Sequence, residues 1–111
     1  MKKRLTIEKA LAELRLSKKL FKTLFKHGSL EVEIYKPEQI DQQSPHSRDE
    51  IYVIASGSGR FINGTNEQFV EAGEVLFVPA HKEHRFVDFT EDFSTWVFFY
   101  GPEGGEAGEE S

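Results

Sequence analysis

Apolar residues near the start of the chain recur at helical spacing. Ile7, Ala10, Leu11 and Leu14 fall at i, i+3, i+4 and i+7, and Thr6 stands where an N-cap belongs. Ser17 interrupts this pattern and reads as the cap of a second helix. Leu16 and Phe21 would form its hydrophobic staple, and Leu20, Phe21, Leu24 and Phe25 its apolar face. His27 suits the negative end of that helix and Gly28 the position just past it. From residue 29 the period becomes two: Leu30, Val32 and Ile34 alternate with Glu31, Glu33 and Tyr35, the pattern of a half-buried strand. Further β runs follow at Ile51–Ala55, Phe61-Ile62, Phe69-Val70, Val75–Val78, Phe86–Phe89 and Phe93–Tyr100. Asn63-Gly64-Thr65-Asn66 among them is a hairpin signal. Short strands with recurring turns and no helices between them predict a β-sandwich or small barrel behind one or two short helices.

Composition narrows the class. The chain has 111 residues, enough for one domain, and it has no cysteine. Disulfides, thiolate metal sites and cysteine nucleophiles are therefore excluded, and a cytoplasmic location is the simplest expectation. No apolar run reaches the length of a membrane span, and the basic N-terminus lacks the apolar stretch of a signal peptide. Charge is uneven. Residues 1–28 hold nine Lys/Arg against two acids, a net +7, while the remainder holds five bases against seventeen acids, a net −12. The apolar faces of the basic segment need a surface, so the expectation is docking on the acidic body, within one subunit or across a dimer, rather than binding of nucleic acid or membrane. Residues 101–111, rich in Gly and Glu, read as a flexible acidic tail.

The histidines carry the candidate chemistry. His46 and Glu50 share strand parity, so an imidazole and a carboxylate can converge on one cation, and His84 can complete the set. Two histidines and one carboxylate leave coordination positions open for substrate or dioxygen, and mixed nitrogen and oxygen donors suit Fe, Mn, Ni, Zn or Co. Asp49 has the opposite parity to Glu50 and reads as a surface residue. Tyr52 shares parity with Glu50 and is a pocket candidate. His81 is a second one, as an acid/base group at the barrel mouth or a plain turn residue. Trp96 and Phe98–Tyr100 suit a pocket wall, a dimer interface or core.

In this frame the chain resembles the cupin superfamily over roughly residues 29–100. His46, Glu50 and Gly57 match the later part of the first cupin motif, Gly-x5-His-x-His-x3/4-Glu-x6-Gly. Gly73, Pro79 and His84 match the second, Gly-x5-Pro-x-Gly-x2-His-x3-Asn. The chain departs from the motifs at Glu38, Ser44, His81 and Asp88, so three of the four usual ligand positions are present. Gln43 or water can fill the place left by Ser44, with Pro45 turning Gln43 inward. The resemblance implies a mainly β protein with a double-stranded β-helix, or jelly-roll barrel. An N-terminal helical segment (1–28) would pack on the barrel (29–100), followed by the tail (101–111). It also implies a divalent transition metal, a small-molecule ligand or substrate and a homodimer. The functions it implies are dioxygenase, isomerase, decarboxylase or lyase chemistry. A non-catalytic small-molecule-binding module is the alternative, and a barrel without metal a third reading.

Overall fold

Thr6 opens the fold. In the computed structural model, which describes residues 4–41 and 44–107, its hydroxyl accepts the Lys9 N–H at 3.1 Å and caps helix α1, Ile7–Ser17. The helix stops at Lys18, which is left-handed (φ 59°) and returns its N–H to the Arg15 carbonyl. Ser17 therefore closes a helix instead of opening one. Its hydroxyl donates to the Leu14 carbonyl at 2.6 Å.

The second helix expected over 17–27 is instead strand β1, Phe21–His27. It pairs antiparallel with β2, Leu30–Tyr35, through a two-residue turn whose first residue, Gly28, has φ +59°. The helix-like spacing has a structural cause. The register shifts between Thr23 and Phe25, and this irregularity sends the adjacent Leu24 and Phe25 to the same apolar cluster.

The remaining strands are β3 (Asp49–Ser56), β4 (Ser58–Asn63), β5 (Asn66–Glu71), β6 (Val75–Val78), β7 (His84–Val87) and β8 (Ser94–Tyr100). They form a five-stranded sheet in the order β1-β2-β8-β3-β6 and a three-stranded sheet in the order β5-β4-β7. The predicted hairpin joins β4 to β5, with Asn63 opposite Asn66 and Gly64 at φ +65°. The sheets do not close on each other, and the layout is that of a jelly roll.

The five-stranded sheet is buried on both faces. Between the sheets lie Tyr52, Ile54, Phe61, Val70, Val78, Phe86, Phe93, Val97 and Phe99. On the outer face, Ala10 and Leu14 of α1 meet Leu24, Val32 and Ile34, with Trp96 and Phe98 packed alongside. Register explains the division. Val32 lies opposite Phe98 and Ile34 opposite Trp96, all facing the helix, while Glu31, Glu33 and Tyr35 lie opposite Phe99, Val97 and Thr95 and face inward.

Apolar packing thus seats the helix. Among the described residues, the ion pair between the basic segment and the acidic body is Lys26–Glu31, at 3.7 Å with Lys26 largely exposed, a geometry that contributes little. Composition predicts a flexible tail from residue 101, yet residues 101–106 fold back. Gly104 N–H reaches the Ser47 carbonyl and Glu106 N–H reaches Asp49. The last four residues lie outside those described.

Leu14 is 4% exposed at the centre of the outer cluster. Leu14→Ala is expected to cost about 3 kcal/mol, read as a lower urea midpoint with an unchanged slope.

Candidate metal centre

Glu50 sits in the second position of β3 and points between the sheets with no exposed surface. A carboxylate withdrawn from water needs compensating donors, and two histidines supply them. His84 opens β7 and places Nε2 at 2.9 Å from Glu50 Oε1. His46, on the loop before β3, places Nδ1 at 3.0 Å from the same oxygen. One donor atom from each of the three residues lies within 4.8 Å of the others. The structure thus brings His46, Glu50 and His84 together from two strands and a loop.

The protonation of His84 follows from its partners. A carbonyl only accepts, so His84 Nδ1–H donates to Lys82 C=O at 2.8 Å. In the neutral ring this leaves the Nε2 lone pair facing the cluster, the arrangement that orients a metal-binding histidine. The Tyr52 hydroxyl lies 2.9 Å from the same Nε2. Burial alone would lower the His84 pKa. The hydrogen bond to Glu50, the Lys82 carbonyl and the charges of Glu50 and Asp41 outweigh burial and raise it above the ordinary 6.5. For Glu50, burial pushes upward, but hydrogen bonds and charge from His46 and His84 hold the carboxyl below its ordinary 4.5.

The three residues fit a cation. Glu50 Oε2 is buried without a hydrogen-bond partner, a costly state for a carboxylate oxygen. Glu50 Oε1 lies 2.9 and 3.0 Å from the two ring nitrogens, so the three side chains turn their donor atoms towards one another. The donor set of two imidazoles and one carboxylate leaves coordination positions open.

The other predicted site residues are placed as follows. Tyr52 is fully buried beneath the cluster and touches it through His84, and it is not among the residues lining the cavity beside His46 and Glu50. His81 is exposed on a left-handed turn (φ 67°), and its backbone supports the site by donating N–H to the His46 carbonyl at 2.6 Å. Gln43 lies outside the described residues. Asp49, expected at the surface, is 4% exposed. Its two oxygens accept the N–H groups of Ala80 (2.9 Å) and Glu106 (2.8 Å), because β3 begins under the turn before β7 and the returning C-terminal segment.

A cavity of about 760 Å³ adjoins the cluster. His46 and Glu50 line it, together with Leu20, Phe21, Val97 and Phe99 and the polar inner face of β2, Glu31, Glu33 and Tyr35. The β2 residues were not anticipated as site residues, although their alternation is plain in the sequence. Tyr35 is anchored by its hydroxyl, which donates to Asp41 at 2.5 Å. Glu33 accepts from the Thr23 hydroxyl at 3.3 Å. Burial first, and then a hydrogen bond and like charge from Glu31, push the Glu33 carboxyl up to about 7 against the smaller effects of Thr23 and His46.

These shifts set two pH responses. In metal-free protein, the Glu50 contribution to stability is full above 4.5 and is lost as pH falls through its lowered value. The His84 contribution is full below 6.5 and is lost as pH rises through its raised value. Glu50→Gln should therefore destabilise most between these limits, by about 2–3 kcal/mol, in urea titrations with chelator across pH 4–9. Glu33 acts the other way. Its raised pKa costs stability as pH climbs from 4.5 towards 7. Glu33→Gln is thus expected to gain about 1 kcal/mol over wild type above pH 7, after allowing for solvent screening of a half-exposed group, and nothing below 4.5.

Comparison with known proteins places this geometry. The family model described as "Cupin domain" matches residues 31–99. An uncharacterized protein of Streptomyces coelicolor is 38% identical over 63 residues, which cover 57% of this chain and 60% of that protein; the chain thus matches about three fifths of that relative's length. A cupin-2 domain containing protein from Shewanella frigidimarina superposes with a TM-score of 0.64 at 15% identity, covering 81% of this chain and 92% of the other. A cupin superfamily protein from Desulfitobacterium hafniense gives 0.60 at 19% identity, covering 73% and 75%. A chain from crystal structures of DMSP lyases gives 0.60 at 25% identity, covering 69% of this chain and 41% of that one. The two-sheet fold, the histidine–glutamate cluster between the sheets and the match over 31–99 lead to one conclusion: this chain belongs to the cupin domain family.

Proposed function

We propose that the protein binds one divalent transition-metal ion on His46, Glu50 and His84 and acts as a metal-dependent enzyme on a small molecule held in the adjoining cavity. One observation carries this reading. Two imidazole nitrogens converge on one oxygen of a fully buried carboxylate whose other oxygen has no partner. A protein interior tolerates that arrangement poorly unless a cation or proton balances it. The bound ion would supply a Lewis acid or an oxygen-binding centre. Lys82 C=O holds His84 in the tautomer that presents Nε2, and Phe99 packs edge-on against His46, with ring centres 4.9 Å apart.

The cavity volume falls in the range of small-molecule sites. Leu20, Phe21, Val97 and Phe99 offer an apolar wall, and Glu31, Glu33 and Tyr35 a polar one. Glu33, with a carboxyl that titrates near neutrality, can hold or release a proton at its Oε atoms beside a bound ligand. Metal-dependent isomerase, decarboxylase, lyase or dioxygenase chemistry would suit such a site, and the likeness to a chain from crystal structures of DMSP lyases supports including the lyase type. The exposed Val75 and Phe77, on the edge strand β6, offer an apolar surface for a homodimer.

Protein purified without chelator is expected to carry about one metal ion per chain on these three ligands, and His46→Ala and His84→Ala to lose most of it. Equal, near-zero metal in all three proteins would overturn the reading. With metal present, incubation under air with Fe(II) and a panel of small oxygen-rich compounds separates the functions. Turnover supports the enzyme, whereas ligand-induced melting shifts without turnover support the binding module.

A further inference from the structure

We propose that residues 101–106 form a clamp that positions His46 for the metal, with Asp49 as its anchor and Gly105 as the residue that lets it close. The inference rests on the metal reading above. Glu50 and His84 stand on strands, but His46 stands on a loop, and a ligand on a loop is only as well placed as the contacts that hold the loop.

Those contacts are concentrated on residues 46–49. The His46 carbonyl accepts the His81 N–H, and the Ser47 carbonyl accepts the Gly104 N–H, both at 2.6 Å. The Ser47 hydroxyl donates to Glu103. Arg48 Nε donates to the Gly101 carbonyl at 3.0 Å, and its Nη2 to the Ser29 carbonyl. Asp49 joins the two braces, one carboxylate oxygen taking Ala80 N–H and the other Glu106 N–H. The stretch that reads as a featureless Gly/Glu tail therefore supplies partners to three successive residues, Ser47, Arg48 and Asp49, directly after a metal ligand.

Gly105 shows how closely the segment is fitted. It has φ +90°, and a Cβ there would come within 2.9 Å of Asp49 Oδ1 and 3.1 Å of the Ala80 side chain. A side chain at this position would be strained by its backbone and would push the segment off its anchor.

The test is Co(II) titration of the full chain, followed by absorption of the bound ion and by imidazole NMR of His46. Gly105→Ala and Asp49→Asn are expected to weaken Co(II) binding about tenfold or more, as loss of a group supporting a ligand does, and to alter the visible spectrum. Asparagine keeps an acceptor for one N–H but turns an NH2 group towards the other. Gly105→Ala leaves Asp49 and its charge in place, so it carries the expectation if Asp49→Asn fails to fold. Leu14→Ala, on the opposite face of the sheet, lowers stability without touching the clamp and should keep wild-type affinity and spectrum. Wild-type affinity in Gly105→Ala and Asp49→Asn would overturn the clamp alone. A wild-type chain that takes up no cobalt would overturn the metal reading, and the clamp with it. Equal weakening in Leu14→Ala would reduce Asp49 and Gly105 to general stability and overturn the positioning role.

Discussion

The burial of one carboxylate organises the molecule. Glu50 lies between two sheets with no exposed surface, where an ionised group is costly unless donors surround it. Each neighbouring arrangement answers that cost at one remove. His84 reaches Oε1 from β7 because Lys82 C=O and the Tyr52 hydroxyl hold its ring in place. His46 reaches the same oxygen from a loop tied down by the turn at 80–81. The partnerless Oε2 is the part of the cost that the protein chain leaves unanswered, and the proposed cation would answer it.

A second condition makes room for the site. A jelly-roll sheet with water on its outer face would turn its apolar residues inward and leave little space for polar groups. Here α1 covers Val32, Ile34, Trp96 and Phe98 from outside. The inner face of β2 is thereby released for Glu31, Glu33 and Tyr35, which line the cavity beside the cluster. The helix lies remote from the cluster, yet by covering the apolar face it leaves the polar side of β2 facing the cavity. Because strand side chains alternate strictly, a one-residue slip of β2 against β8 would exchange the two sets of residues.

Much of the site was legible because its signals are local. The spacing of His46 from Glu50, the position of His84 after Pro79 and the Asn63-Gly64 turn each depend on a few residues, although His46 stands on a loop before β3, where the strand parity that paired it with Glu50 does not hold. Local spacing was also what misled. Leu20, Phe21, Leu24 and Phe25 fit a helix as well as they fit a strand with a shifted register, and pairing with β2 decided between the two. The acidic alternation of β2 was visible, but which face was inside was not, since that depends on a helix more than ten residues earlier in the chain. Asp49 looked external by parity alone, and it is buried because segments around residues 80 and 106 arrive over it.

The amino-acid sequence by itself determined the β class, the turns, the first helix with its Thr6 cap, and the identity of the two histidines and one glutamate. These follow from side-chain periodicity and from the few residue types that can bind a cation. The tertiary structure alone decided that Ser17 ends a helix, that β2 turns its acids towards the cavity, and that the Gly/Glu segment after Tyr100 folds back onto the His46 loop. In each of these cases the deciding partner is far away in sequence. A hydrogen bond such as Glu106 N–H to Asp49 has no trace in local pattern, because backbone donors are the same at every position.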